Sequence, residues 1–386
     1  MTAHGAAGRV VTVRAPRFPG IDSVRAIAAL SVLAYHLAIH LRLVGEGGLS
    51  PYAVQLNIGV AIFFVISGFV LYRPFAAARA GGEPLPPTLP YAVRRVLRIV
   101  PAYWVALTIV ALVLGLSEVF TPRGLVTYYG FLQIYQKETI IGGIGPAWTL
   151  CIEVTFYAAL PLWARLVRRV GGPFVRSELL LLAAVAAASV AWKALILYVV
   201  PADTPGWLPA QVSLPAFADH FAIGMALAVA SVAGVQRLGV PSWAPWLLAA
   251  AAFALLSGGV PGQGFEAQSL WRHELRGLIG ALVLLPAIWG AGAVPALLRH
   301  PWLRWLGTIS YGVYLWQLPV ILELQQRGWM ESPGRGALAV AAVALTVAIA
   351  AASWYGLERP VLWVGGAWLR RRRPEEVEQP MRAGVA

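Results

Sequence analysis

Three ionisable side chains lie inside the first long apolar run of the chain, at Asp22, Arg25 and His36. A charged group at membrane depth costs about 2.5 kcal/mol or more, so such groups usually face a protein interior and mark a site. On an ideal helix the step from Arg25 to His36 makes about three turns and rises about 16 Å. The two side chains therefore share one face at different depths, and Asp22 falls within about 40° of that face.

His36 is the candidate for proton transfer. Its imidazole can change charge near neutral pH, which suits a general base. Asp22 is about 21 Å away along an ideal helix, too far to orient the ring directly. The alternative is a histidine that only holds two helices together. We favour the catalytic interpretation because Arg25 and Asp22 lie on the same face.

Glu153 is the second candidate for chemistry. It lies about two turns inside an apolar run that begins near Pro146. A carboxylate at this depth needs a partner or a task. We predict that Glu153 has a role in the site and reaches it from the outer side of the membrane. The alternative is that Glu153 pairs with a structural arginine.

A basic group at Arg94, Arg95 and Arg98 lies in the stretch 91–101, which reads as an amphipathic helix at the inner membrane surface. Guanidinium groups bind phosphate oxygens in pairs, so these arginines suit a phosphate-bearing ligand that Arg25 can also contact. Anchoring to anionic lipid is the alternative. Ser67-Gly68 in the second run favours close helix packing over a nucleophilic role.

The elements that must hold these residues are membrane helices. The 386 residues are 59% hydrophobic and 12% charged, whereas about 25% is usual in soluble domains. The net charge is +13, but the basic residues lie at the ends of apolar runs, so this charge does not indicate nucleic-acid binding. A single cysteine, Cys151, excludes an intramolecular disulfide, and we expect no metal site.

Ten apolar runs predict an all-α polytopic protein with about ten transmembrane helices, since about 20 residues cross the bilayer. With the N-terminus inside, few arginines fall in outside segments, which predicts an N-in/C-in topology. The segment 120–145 must then begin and end outside, with a short helix over 125–135. The runs are 21–42, 56–74, 100–119, 146–166, 178–200, 213–233, 242–258, 274–293, 307–326 and 336–357.

The predicted organisation has three parts. Residues 1–20 form a cytoplasmic N-terminal tail, residues 21–360 the transmembrane domain, and residues 361–386 a cytoplasmic C-terminal tail.

Several segments of the sequence, taken in their order along the chain, resemble those of the membrane-bound acyltransferase-3 family. The R-x10-H pattern of that family falls on Arg25 and His36. Seven segments carry the resemblance: Asp22-Ser-Val-Arg25, Tyr35-His36, Phe63-Phe-Val-Ile-Ser-Gly-Phe69, Arg94-Arg95-x-x-Arg98-x-x-Pro101, Pro146-Ala-Trp148-Thr-Leu-Cys-Ile-Glu153, Ile309-Ser310-Tyr311-Gly-Val-Tyr314-Leu-Trp316 and Glu358-Arg359-Pro360.

The resemblance implies an integral-membrane O-acyltransferase of the bacterial plasma membrane. It implies acyl transfer to a hydroxyl of a sugar, a glycan or a glycosylated small molecule such as a macrolide. Acyl-CoA, expected to be acetyl-CoA, is the co-substrate, no cofactor stays bound, and the other partner is membrane lipid. The family histidine corresponds to His36 and the family's basic helix to Arg94, Arg95 and Arg98. We predict catalysis by His36 and Glu153, donor binding by Arg25, Arg94, Arg95 and Arg98, and site organisation by Asp22, Ser67, Trp148, Tyr157 and Tyr314.

Two positions depart from the family pattern. Gln317 stands where the family often has a histidine, and Val154 where a second acidic residue is common. A transporter or flippase of a glycan or lipid-linked sugar is the alternative function, because buried Asp, Arg and His also build proton relays. The absence of an obvious repeat between the two halves of the sequence argues against it.

Overall fold

The computed structural model describes residues 18, 20–45, 48, 50–234, 241–259, 264–288 and 296–371, and every regular element within them is helical. Each of the ten predicted runs overlaps one long helix, so the all-α fold class is confirmed. The long helices are α1 (Gly20–His40), α2 (Gly59–Ala80), α3 (Thr88–Val113), α4 (Trp148–Val170), α5 (Phe174–Tyr198), α6 (Leu214–Val232), α7 (Ala244–Gly258), α8 (Gly264–Ile288), α9 (Ser310–Gln326) and α10 (Arg335–Ser353).

Among the described residues, seven helical stretches are long and apolar enough to cross a membrane. They contain α1 to α6 and α10, which makes the chain a multi-pass membrane protein. The other three long helices differ in a simple way: α7 and α9 are shorter, with 15 and 17 residues, and α8 carries four charged side chains in its first half. The number of crossings and the N-in/C-in orientation stay predictions.

Helix α2 lies at the centre and packs against α1, α4, α6 and α8. Its closest neighbour is α6, and two glycines make the approach possible. A Cβ atom on Gly68 would collide with the carbonyl oxygen of Phe221, and one on Gly224 with the carbonyl oxygen of Val65. The Ser67-Gly68 pair therefore permits close packing, as the sequence indicated.

Helix α1 packs against α2, α8, α9 and the short helix Pro301–Thr308. The short helix touches the first turn of α1, where a Cβ on Gly307 would meet the carbonyl oxygen of Asp22. Ser23 of the same turn donates a hydrogen bond to the carbonyl oxygen of Leu298 at 2.8 Å. These contacts fix the end of α1 that carries Arg25.

Three connecting segments refine the predicted organisation. The basic stretch 91–101 is continuous with the third span, since α3 runs through Pro101. The segment between α3 and α4 contains the short helix Pro122–Tyr129, as predicted. Residues Arg359–Arg371 form an amphipathic helix, α11, so the first part of the expected C-terminal tail is helical. Residues 1–17 and 372–386 of the predicted tails lie outside the described residues.

Candidate active site

A narrow cavity of about 100 Å³ lies where α1, α2, α3, α4 and α9 meet, and we call it the arginine cavity. Its basic side chains come from two helices, Arg25 from α1 and both Arg95 and Arg98 from α3. Three guanidinium groups therefore converge on one small space, with the carboxylates of Asp22, Glu153 and Glu358 beside them. Arg94, the fourth arginine of the predicted anion site, is exposed and does not line this cavity.

Arg25 and Arg98 are each held by a carboxylate. Asp22 lies 3.6 Å from Arg25, an ion pair across one turn of α1. Arg98 lies 3.3 Å from Glu358, which is 2% exposed. Asp22 is among the predicted site-organising residues, whereas Glu358 is not. The motif Glu358-Arg359-Pro360 is visible in the sequence, but only the fold shows that Glu358 pairs with Arg98.

Aromatic rings also support Arg98. Its guanidinium carbon lies 5.1 Å from the ring centre of Trp354 and 5.8 Å from that of Tyr311. The Tyr311 hydroxyl in turn donates a hydrogen bond to the carbonyl oxygen of Ile99, at 2.9 Å. A guanidinium stacked in this way is held in one orientation. Its remaining donors therefore have a fixed direction relative to the cavity.

Glu153 and Tyr157 line the arginine cavity from α4. The Ser67 hydroxyl, on α2, donates a hydrogen bond to Glu153 Oε1 at 2.5 Å. Glu153 therefore lines the same cavity as Arg25, Arg95 and Arg98 and does not line the cavity of His36. Its depth along α4 did not specify these neighbours, and its role in catalysis stays a prediction.

A larger cavity of about 720 Å³ contains His36, and we call it the histidine cavity. Aromatic side chains such as Trp148 and Phe217 line it, together with the polar groups of His220, His273 and Arg276. Its volume falls within the range of roughly 300–1,000 Å³ typical of small-molecule sites. Mostly apolar walls with a few convergent polar groups suit a ligand that combines rings with hydroxyls.

Two oxygen atoms face Nδ1 of His36. The carbonyl oxygen of Val32 lies 3.0 Å away and Oε1 of Gln317 lies 3.3 Å away. Because both oxygens are acceptors, Nδ1 carries the ring hydrogen and Nε2 keeps its lone pair. Among the described residues Nε2 has no hydrogen-bond partner. Gln317, the position that departs from the family pattern, is fully buried and directly touches the candidate catalytic ring.

Tyr314 lines both cavities and marks their junction. Its hydroxyl donates to the carbonyl oxygen of Pro146 at 3.0 Å and accepts from Thr149 Oγ1 at 2.7 Å. The ring of Phe63 packs edge-on against it, with centres 5.7 Å apart. These contacts tie α9 to the beginning of α4, so Tyr314 occupies a fixed position between the arginines and His36.

A second polar cluster joins α5, α6 and α8 beside the histidine cavity. Lys193 Nζ lies 2.6 Å from Asp219 Oδ2 and 2.5 Å from Glu274 Oε1. Asp219, His220 and His273 each present a ligand atom within 4.8 Å of the others, close enough for a metal ion. The Lys193 ammonium already supplies positive charge to Asp219 and would repel a metal ion. An ion-pair network is therefore the simpler account.

Comparison with known proteins identifies the family. Residues 18–355 match the acyltransferase domain of the acyltransferase-3 family. The chain belongs to this family. The two residues of the R-x10-H pattern line different cavities: Arg25 lines the arginine cavity and His36 lines the histidine cavity.

Three relatives show the range of this family. A peptidoglycan O-acetyltransferase candidate of Bacillus subtilis, YrhL, is 29% identical over 92% of this chain and 56% of its own length. The peptidoglycan O-acetyltransferase OatA of Listeria monocytogenes is 27% identical over 89% of this chain and 55% of its own. The acyltransferase MdmB of Streptomyces mycarofaciens is 30% identical, over 94% of this chain and 95% of its own.

The lengths of these acyltransferase-3 proteins differ. The chain spans little more than half of the first two relatives and nearly all of the third. No solved structure matches the chain.

Proposed function

We propose that the protein is an integral-membrane O-acyltransferase of the bacterial plasma membrane. It moves an acetyl or short acyl group from acyl-CoA to a hydroxyl of a sugar, a glycan or a glycosylated small molecule. The observation that carries this proposal is the junction of two cavities at Tyr314, with three arginines in one and the Nε2 lone pair of His36 in the other.

The arginine cavity suits the donor. Its volume of about 100 Å³ is well below the roughly 300–1,000 Å³ of sites that enclose a whole drug-sized ligand, so the cavity is too small for a nucleotide. A thin pantetheine chain is a better match for such a passage, with the donor phosphates at its mouth on Arg95 and Arg98. Arg94, exposed one residue before Arg95, extends the basic surface outward.

The histidine cavity suits the acceptor. Trp148, Phe217 and Tyr314 offer ring faces, and polar groups between them offer hydrogen bonds to hydroxyls. The named activity of OatA, on peptidoglycan, supports a glycan as acceptor, and MdmB, an acyltransferase of similar length to this chain, supports acyl transfer. The acceptor hydroxyl would approach His36 from this side.

His36 supports two chemical routes. As a general base, Nε2 takes the hydroxyl proton while the oxygen attacks the thioester carbon, and the proton then reaches the departing thiolate. As a nucleophile, Nε2 itself attacks that carbon, the thiolate leaves, and the acyl group passes to the hydroxyl in a second step. Both routes convert an acyl thioester and an alcohol into an ester and a thiol.

Replacement of His36 tests the proposal. The assay adds labelled acetyl-CoA to permeabilised cells of the source strain, in which the chromosomal copy is deleted and each variant is supplied. We expect His36→Ala to insert at normal levels and to transfer no label to non-protein products. Normal transfer by this variant would overturn the assignment. Acceptor that crosses the membrane without any label, in cells with the unaltered chain, would favour the transporter.

A further inference from the structure

The polar cluster beside the histidine cavity places a second imidazole against the proposed acceptor. His273 Nε2 lies 3.5 Å from Asp219 Oδ1, and the ring stacks on His220 with centres 4.3 Å apart. The ring lines the histidine cavity on one side and a small cavity of about 60 Å³, shared with Lys193, on the other. His273 therefore lies between the proposed acceptor site and this small cavity.

Asp219 is the carboxylate that faces this ring. Its two oxygens contact Lys193 and Ser189, at 2.6 and 3.2 Å, and the carboxylate is almost fully buried. A carboxylate held in this way stabilises the protonated form of a neighbouring imidazole. Nε2 is the ring nitrogen of His273 nearest to Asp219, at ion-pair distance without a hydrogen bond. Nδ1 of His273 is the other ring nitrogen, and within the described part of the chain it has no hydrogen-bond partner.

Charged groups of both signs surround His273. Asp219 lies 3.5 Å from its ring and is paired with Lys193, which also contacts Glu274. Arg272 and Arg276, on the same helix, are positive, and Arg276 donates a hydrogen bond to Gln55 at 2.8 Å. Asp219 is the charged group in contact with the ring, and its negative charge favours a proton on His273. His220 donates its Nε2 hydrogen to the carbonyl oxygen of His273 and is neutral there.

His36 has a different environment. Its Nδ1–H points at two acceptor oxygens, those of Val32 and Gln317. Attachment of an acyl group to Nε2 leaves a positive charge on the ring, and hydrogen bonds from a charged donor to such oxygens are the strong kind. These surroundings stabilise the positive charge that an acyl group on Nε2 creates. On this nucleophilic route the acceptor hydroxyl needs a separate base.

We propose that His273, with Asp219 beside it, is the base that takes the acceptor proton. The inference rests on the proposed function. Nε2 of His36 bonds to the acyl carbon and the carbon–sulfur bond breaks, so CoA leaves as thiolate and takes a proton from water. The acceptor oxygen then bonds to the acyl carbon, its proton moves to Nδ1 of His273, and the carbon–nitrogen bond to His36 breaks. The proton on His273 returns to water.

The test separates the two steps in His273→Gln. In the purified chain with labelled acetyl-CoA, we expect this variant to release about one CoA per protein and to retain the label. In permeabilised source cells that contain the native acceptor, transfer should fall by about 10²- to 10⁴-fold, the usual contribution of a general base. His300→Gln, at an exposed histidine before Pro301–Thr308, is the matched control.

Two results would overturn the proposal. One is unchanged transfer by His273→Gln; the other is joint loss of CoA release and transfer in a variant that elutes as a folded protein. His36→Ala should lose CoA release, label and transfer together. If His36→Ala is inactive but His273→Gln is normal, only the present inference fails. If His36→Ala is active, the proposed function fails.

Asp219→Asn provides a second variant if His273→Gln does not fold. Asp219 is a positioning residue, since it acts through His273. The amide no longer stabilises the protonated ring, so the acid limb of the pH–transfer profile should move to lower pH while CoA release persists. An unchanged profile with a uniform loss of protein would mean that the carboxylate is only structural.

Discussion

The Ser67 hydroxyl donates a hydrogen bond to Glu153 Oε1 at 2.5 Å and thereby joins α2 to α4 inside the arginine cavity. Ser67, a small residue at a close helix contact, thus also positions the Glu153 carboxylate in the cavity that the arginines line. The sequence placed the two residues 86 positions apart and connected them only through the family pattern.

Ser67→Ala tests this contact. The variant keeps the small side chain and removes the donor, so transfer should fall by about tenfold, equivalent to ~1.4 kcal/mol for a hydrogen bond to a charged group. Steady-state rates with labelled acetyl-CoA measure the effect. Complete loss of activity in a stable variant would instead indicate that Ser67 is itself the nucleophile.

Gln317→Leu should impair chemistry without affecting donor binding. The substitution removes one of the two oxygens that face Nδ1 of His36, so we expect kcat to fall by about 10- to 100-fold, the equivalent of ~1.4–2.7 kcal/mol. The KM for acetyl-CoA should stay within about twofold.

The chain offers a matched control for Gln317. Gln325 accepts from Nδ1 of His40 at 3.1 Å, one turn farther along α1 and two turns farther along α9. Gln325→Leu should therefore leave kcat nearly unchanged. Equal losses in the two variants would show that helix packing, and not the ring of His36, explains the effect.

Arg98→Gln should weaken donor binding. Arg98 lines the arginine cavity and is held by Glu358 and two aromatic rings. We expect the KM for acetyl-CoA to rise by about tenfold or more, since charge-assisted hydrogen bonds to phosphate contribute ~1.5–3 kcal/mol.

Arg94→Gln separates the two explanations of the basic helix. Its side chain is exposed outside the arginine cavity. A KM increase equal to that of Arg98→Gln would extend the donor site to the surface. An unchanged KM, with weaker retention in membranes rich in anionic lipid, would assign Arg94 to lipid contact.

Gly68→Ala should destabilise the protein through the contact of α2 with α6. The new methyl group meets the carbonyl oxygen of Phe221, so the helices must separate, at a cost of about 1–3 kcal/mol. A lower melting temperature in detergent measures this cost. Gly336→Ala in α10 is the control, because no heavy atom lies within 4 Å of its added Cβ and alanine favours the helix by about 0.5–1 kcal/mol.

The helices and their order could be predicted from the sequence because their signals are local. A run of about 20 apolar residues defines a span wherever it occurs. Arg25 and His36 lie on one helix, so their shared face and different depths follow from the helical repeat alone. The family pattern adds the expected chemistry, and the position of Arg25 near one end of its helix predicts an anion site shared with Arg94, Arg95 and Arg98.

Only the tertiary structure decided which side chains meet. Gln317 touches His36 from 281 positions away, and Glu358 reaches Arg98 across 260. Lys193, Asp219 and His273 come from three helices, and their sequence positions gave no direction for their side chains. The physical reason is that lipid tails and the protein interior are both apolar. Hydrophobic patterning therefore locates a membrane helix but does not specify which of its faces turns toward another helix, and partners on separate helices become visible only when the helices are packed.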